Sequence, residues 1–188
     1  MQYLKTKIDF GDTVVGIDQG IQRLVSNGIP FHYCIGDYDS FDVSLVNDPC
    51  TIIKLDAEKD FTDLEYGVRY FPDHEIFIIN NLQGRIDHIL GVIHLLELRH
   101  DIHIISASQE IHLVRKHYSA NLPIGTTISL IPISEKVTNI TTSGLYYRLD
   151  NETLYRKKSR GLSNKNVDNF IDVFFLDGEL LIIINNGI

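Results

Sequence analysis

Apolar and polar positions change rhythm once along this chain. Up to about residue 107, short apolar runs alternate with stretches of helical period. Thr13 to Ile17, Phe31 to Ile35, Thr51 to Leu55, Glu75 to Asn80 and Ile102 to Ser106 have the length and the apolar content of buried strands. Gln19 to Asn27 predicts a helix stopped by Gly28, and Thr62 to Phe71 a helix ended by Pro72. Ile86, Ile89, Leu90, Ile93 and Leu96 fall on one face of a longer helix reaching about Leu98. Apolar strands separated by helices predict a parallel sheet covered on both faces.

Beyond residue 107 the helical period fades. Ile111 to Arg115, Thr126 to Pro132, Val137 to Thr141, Thr153 to Arg156, Asp172 to Leu176 and Leu180 to Asn185 all predict strands. Asp177-Gly178 predicts a hairpin between the last two. This half reads as an antiparallel sandwich or partial barrel. No internal repeat and no flexible linker separates the halves, which are expected to pack firmly together.

Composition narrows the classes. Of 188 residues, 44% are hydrophobic and 22% charged, which fits one ordinary globular domain or two small ones and not a disordered chain. Lys plus Arg number 17 against 25 Asp plus Glu, a net charge of -8. A general nucleic-acid binder needs a basic surface, and this chain lacks the charge for one. An acidic chain suits a divalent cation or a cationic substrate. No apolar run approaches the ~18 residues of a membrane helix, and the N-terminal residues lack a secretory core, so a cytoplasmic protein is expected. Cys34 and Cys50 form no CxxC pair and are expected as reduced thiols, at least one of them buried.

Candidate chemistry gathers on loops at predicted strand ends, where open α/β sheets leave a ligand crevice. Gly36-Asp37-Tyr38-Asp39-Ser40 places two carboxylates on one tight turn after a strand. Such a pair suits a hard cation, which takes one or two carboxylates together with substrate phosphates. The same residue types also make ordinary turns. In Lys59-Asp60-Phe61-Thr62-Asp63-Leu64-Glu65, Thr62 with Glu65 is a capping box, which accounts for some of the acidity. It leaves Lys59 and Asp60 crowding the same turn unexplained. The segment reads equally as a cap and as a site where Asp63 adds a carboxylate and Lys59 faces a phosphate. Gly84-Arg85-Ile86-Asp87-His88 opens the long helix. Arg85 offers a planar fork to phosphate oxygens, Asp87 reads as a cap, and His88 in isolation reads as structural.

Gly144-Leu145-Tyr146-Tyr147-Arg148-Leu149 and Gly161-Leu162-Ser163-Asn164 lie in the β half and are weak when taken singly. There is no Walker loop and no G-x-S-x-G elbow, so a Walker-type NTPase and that hydrolase class are excluded, and the scattered histidines show no metal-ligand pattern such as HExxH, so a zinc site is not expected.

Taken together and in order, these segments resemble the thiamin pyrophosphokinase family. Its Gly-Asp-Phe-Asp-Ser motif is matched by Gly36 to Ser40 with Tyr38 for Phe, Lys-Asp-x-Thr-Asp-x-Glu by Lys59 to Glu65, and Gly-Arg-x-Asp-His by Gly84 to His88. Gly-Leu-x-Tyr-x-Leu and Ser-Asn are matched by Gly144 to Leu149 and by Ser163-Asn164. The resemblance runs from about Asp12 to the C-terminus. It implies a Rossmann-like parallel-sheet domain over 1–107, carrying nucleotide and Mg2+, and an antiparallel β-sandwich over 108–188, carrying thiamin. The implied reaction is Mg2+-dependent transfer of diphosphate from ATP to the hydroxyl of thiamin, with AMP released.

The resemblance also implies roles for residues. Asp37, Asp39 and Asp63 would hold Mg2+. Lys59 and Arg85 would meet nucleotide or phosphate, together with Asp18, Thr62, Asp87 and His88. Asp39 or Asp60 would accept the hydroxyl proton. Tyr147, Ser163 and Asn164 would face thiamin, across the interface of a homodimer. The chain departs from the family at Gln19, Gln83 and Gly91 and lacks Trp. The family's first strand and glycine-rich turn precede the region matching Asp12. A truncated relative that binds thiamin or nucleotide without turnover is therefore the alternative expectation.

Overall fold

The computed structural model describes residues 6–38, 49–80 and 82–186. It divides into two compact units, 1–74 and 75–188. In the first unit, β1 (Val15–Ile17), β2 (Tyr33–Gly36) and β3 (Thr51–Lys54) form a parallel sheet in that order. Gly16 lies beside Cys34, and Ile35 beside Ile53. Helix α1 (Gln19–Ser26) follows β1 and turns Ile21 and Leu24 inward at helical spacing. These pack with Ile29, Phe31 and Cys34 into the unit's core. Close approach depends on glycine, because a Cβ at Gly16 would sit 2.9 Å from Ile21 Cγ1. Helix α2 (Asp63–Tyr70) buries Gly67 and Val68. Cys34 and Cys50 are both free, as expected, with their sulfurs 3.3 Å apart.

The second unit begins with β4 (Ile76–Ile79), α3 (Ile86–His94), a 3-10 turn (Leu95–Glu97) and β5 (Ile102–Ile105). Eight more strands follow: β6 (Gln109–Val114), β7 (His117–Asn121), β8 (Thr127–Pro132), β9 (Lys136–Ser143), β10 (Glu152–Tyr155), β11 (Asn164–Lys165), β12 (Phe170–Phe174) and β13 (Leu180–Asn185). They make a six-stranded sheet, β11-β8-β13-β6-β5-β4, and a four-stranded sheet, β10-β9-β12-β7. Ile128, Leu130, Val137, Ile140, Val173 and Phe175 are among the buried residues of the core they share. An α/β first part with a parallel sheet, followed by a sandwich-like antiparallel part, agrees with the expected fold class.

Three details differ from the sequence reading. The parallel pair β4–β5 shares a sheet with antiparallel strands, because the chain reverses tightly after β5. Ser106 N donates to Gln109 O, and Ser106 Oγ accepts from Gln109 N. Strand β6 then pairs antiparallel with β5.

The second difference is a correction to the Asp177-Gly178 hairpin. The turn exists, with Gly178 at φ +111°, but it carries the chain from one sheet to the other. Strand β12 alternates exposed and buried positions and pairs with β7 and β9. Strand β13 is covered on both faces and takes a sheet interior between β6 and β8. A local turn signal does not choose the partner; burial does.

Third, β7 and β11 gave no strand signal. Sequence His-Tyr-Ser-Ala-Asn carries only Tyr118 and Ala120 toward the core, and β11 spans two residues.

Gly144 and Gly161 of the β-half motifs are fixed by backbone geometry. Gly144 has φ +74°, and a Cβ there would lie 2.1 Å from the Phe170 carbonyl oxygen. Gly144→Ala is expected to cost about 3 kcal/mol or more, read from the urea midpoint. Gly125→Ala, at φ +89° with open space around it, is expected to cost only about 1–2 kcal/mol. Among the described residues no helix is long and apolar enough to cross a membrane.

Candidate active site

Parallel strands present their carboxyl ends at one sheet edge, and the first unit places an acidic residue at two of them. Asp18 follows β1 directly, and Asp37 follows β2. Asp18 stands at φ +47°, its N–H donating to Ile35 O at 3.1 Å, so the chain turns sharply over the end of β2. Gly36 makes that possible, since a Cβ there would lie 2.7 Å from Asp18 Oδ1. The third carboxylate comes from the first turn of α2. Thr62 caps that helix, its Oγ1 accepting from Glu65 N at 3.1 Å. Glu65 turns its own carboxylate to Arg69 at 2.9 Å, so the side-chain half of the expected capping box goes to an i,i+4 pair.

One carboxylate oxygen from each of Asp18, Asp37 and Asp63 lies within 4.8 Å of the others. Lys59 Nζ sits 2.8 Å from Asp63 Oδ1 and 4.0 Å from Asp37 Oδ2, and donates to Asp56 O at 2.7 Å. Buried Asp63 Oδ1 is met by that ammonium alone of the described cations.

Three carboxylates around one ammonium leave excess negative charge. Burial pushes Asp18 up to about 7, helped by its hydrogen bond to Asp63 and by repulsion from Asp63 and Asp37. Burial also pushes Asp63 upward, but the hydrogen bond with Asp18 and the Lys59 pair outweigh it and hold Asp63 below the usual carboxylate value. Lys59 is raised, chiefly by Asp63. The cluster thus keeps a proton on Asp18 where a cation would otherwise balance it. An all-carboxylate donor set whose charge one ammonium only partly offsets suits a hard divalent cation.

Of the residues expected at the metal, Asp37 and Asp63 come together, and Asp39 lies outside the described residues. Asp18, expected near the nucleotide, stands in the same cluster. The signal for it was its place immediately after a predicted strand, the same place that singled out Asp37. Asp60 is exposed beside the start of α2.

In the second unit, Gly84 at φ +97° leads to Arg85 at the N-cap position of α3. Arg85 donates through Nε and Nη2 to Asp87 at 3.2 and 2.6 Å. Asp87 Oδ1 also accepts from His88 N, and the guanidinium holds the Asp87 carboxyl down at about 2. Arg85, Asp87 and His88 are all exposed.

The β-half motifs meet around one side chain. Asn164 is buried; its Oδ1 accepts from the N–H groups of Tyr147 and Lys165, and its Nδ2 donates to Tyr147 O at 2.8 Å. Asn164 therefore sets the backbone that displays Tyr147. That ring is 67% exposed, packed edge-on to Tyr146 with centroids 4.9 Å apart. Tyr146 and Tyr147 lie outside the strands, so their exposure departs from the core role that tyrosines usually take. Ser163 stands at φ +55°, its N–H donating to Ser129 Oγ.

Comparison with known proteins bears on both halves. The family model for thiamin pyrophosphokinase, catalytic domain, matches residues 4–106, and that for thiamin pyrophosphokinase, vitamin B1 binding domain, matches residues 100–178. The chain is 27% identical over 187 residues to a thiamine pyrophosphokinase of Bacillus subtilis, covering 90% of this chain and 85% of that protein. It is 30% identical over 119 residues to thiamine pyrophosphokinase 3 of rice, covering 55% of this chain and 45% of the rice protein, under half of the latter's length. A crystal structure of thiamine pyrophosphokinase from Bacillus subtilis superposes with a TM-score of 0.89 at 26% identity, covering 98% of this chain and 92% of that one. The chain belongs to the thiamin pyrophosphokinase family.

Proposed function

We propose that this chain is a thiamin pyrophosphokinase that moves the diphosphate of ATP onto the hydroxyl of thiamin, releasing AMP, with Mg2+ held by Asp18, Asp37 and Asp63. The observation that carries this reading is the convergence of those three carboxylates at one edge of the parallel sheet, their charge only partly offset by Lys59. Bound there, Mg2+ supplies positive charge to the diphosphate oxygens.

The chain's own residues do the rest. Lys59, already paired with Asp63, is placed to turn its ammonium to a phosphate oxygen. Arg85 meets phosphate by exchanging its exposed partner Asp87 for it, a bidentate swap that its fork geometry allows. Thr62 and His88 border these groups as further nucleotide contacts. Asp39 and Asp60 are the candidate acceptors of the hydroxyl proton. Tyr147 offers an aromatic face to thiamin and Ser163 a hydroxyl, while Asn164 positions Tyr147. The working protein is proposed to be a cytoplasmic homodimer, with the nucleotide part over 1–107 and the thiamin part over 108–188.

Purified protein given ATP, Mg2+ and thiamin is expected to release AMP and thiamin diphosphate in equal amounts. Calorimetric binding of thiamin or nucleotide with no AMP formed would overturn the reading in favour of a binding module.

A further inference from the structure

A second cluster of ligating side chains lies in the second unit, away from any motif used above. His103 of β5 and His112 of β6 are register partners, so their side chains stand on the same face of the sheet. Phe77 of β4 continues the row, its ring centroid 5.2 Å from that of His103. The two imidazoles meet Nδ1 to Nδ1 at 3.0 Å. Both line an open cavity of about 260 Å³. Each ring also turns its Nε2 toward a carboxylate: His103 to Glu75 Oε1 at 3.1 Å, and His112 to Glu110 Oε2 at 3.9 Å.

The hydrogen-bond partners fix the tautomers. Ionised Glu75 can only accept, so His103 carries its proton on Nε2. One proton lies between the two Nδ1 atoms, and in the neutral pair His103, already donating from Nε2, has a bare Nδ1 that accepts it. His112 must then donate from Nδ1, which leaves its Nε2 bare. That atom is buried and has no hydrogen-bond partner among the described residues. The metal-free pair therefore strands a lone pair beside a carboxylate.

We propose that His103 and His112 form a two-imidazole site for a borderline divalent transition metal such as Zn2+, with the two Nδ1 atoms as ligands and Glu75 and Glu110 as the carboxylates behind them. Tetrahedral zinc with Zn–N bonds of ~2.0–2.1 Å needs ligand nitrogens about 3.3 Å apart, close to the separation already present. Metal replaces the shared proton, and the His112 proton moves from Nδ1 to Nε2, where it faces Glu110. The stranded atom becomes a donor, both rings gain a carboxylate–histidine–metal arrangement, and no net proton is released. Water reaching through the cavity completes the coordination.

The test uses the full chain, titrated with Zn2+ without nucleotide or Mg2+, and reads the ring-nitrogen resonances of its eight histidines. Stoichiometric Zn2+ is expected to shift Nδ1 of His103 and His112 and to move the His112 proton to Nε2. His112→Gln is expected to weaken Zn2+ binding at this site at least tenfold, and Glu75→Gln about tenfold. Zn2+ that leaves both Nδ1 resonances in place would overturn the site, whether it binds the thiols, the carboxylate cluster or nothing. Because the wild-type spectrum decides this, a His112 variant that fails to fold does not rescue the proposal. Zn2+ affinity unchanged from wild type in folded His103→Gln and His112→Gln would overturn it as well.

Discussion

Asp63→Asn is expected to lower the rate of AMP release about 10²–10³-fold at saturating ATP and thiamin, while the chain stays folded. Asp63 touches both other parts of the cluster: its carboxylate pairs with Lys59 at 2.8 Å and is hydrogen-bonded with Asp18. The carboxamide keeps the shape and removes the charge. A cation then loses one of three anionic ligands, and Lys59 loses its nearest partner. Lys59 is still anchored on Asp56 O and lies 4.0 Å from Asp37, so no ammonium is left buried without company. The Mg2+ concentration for half-maximal rate should rise in step. Glu65→Gln, two residues along the same helix but paired outward with Arg69, is the control and should leave the rate within twofold. Equal rates in wild type and Asp63→Asn would remove the cluster from the reaction.

The sequence carried this site unevenly, for physical reasons. Asp37 and Asp63 were visible because each sits at an element end: a polar run after an apolar strand, and the first turn of a capped helix. Asp18 sits at the same kind of end, but a single acidic residue before a helix looks like an N-cap. Its side chain makes no capping bond and turns to the cluster instead. The need for Gly36 was not readable at all, because the atom it would strike belongs to a residue far back in the chain.

In the second half, alternation found the strands whose inward positions are strongly apolar and missed β7, which needs only Tyr118 and Ala120. Turn chemistry found Asp177-Gly178 and misjudged its partner. The choice between hairpin and sheet crossing depends on which strand must be covered on both faces, and that is a property of the whole sandwich. Asn164 was expected to face thiamin, and its position beneath Tyr147 appears only when loops distant in sequence are brought together.

Asp18→Asn should separate stability from activity, with opposite signs. In the metal-free chain Asp18 is held near 7 against an ordinary value of 3.8, so the folded state grips its proton harder than the unfolded state does. The stability from that proton is complete below pH 3.8 and is lost as pH rises through about 7. Asp63, held low, works the other way, but its contribution changes only in acid, where carboxylates protonate. Between pH 5 and 8 Asp18 lowers stability as pH rises while His103, held below its ordinary value, raises it, and the difference between wild type and Asp18→Asn isolates the Asp18 part. Neighbouring groups desolvate the Asp18 carboxylate, but the residue as a whole stays exposed, so screening discounts the shift, leaving roughly 1 kcal/mol. The Asp18 part should lower the metal-free melting temperature by about 2–4 °C from pH 5 to pH 8. Excess Mg2+ should flatten that slope if the cluster binds it, because a cation takes over what the proton was doing. Asp18→Asn should flatten it too and raise the metal-free melting temperature at pH 8, since asparagine tolerates φ +47° and carries no charge to repel Asp37 and Asp63. The same variant should lose about 10²-fold in AMP release. A pH slope identical in wild type and variant would show that the three carboxylates do not share charge as their positions require.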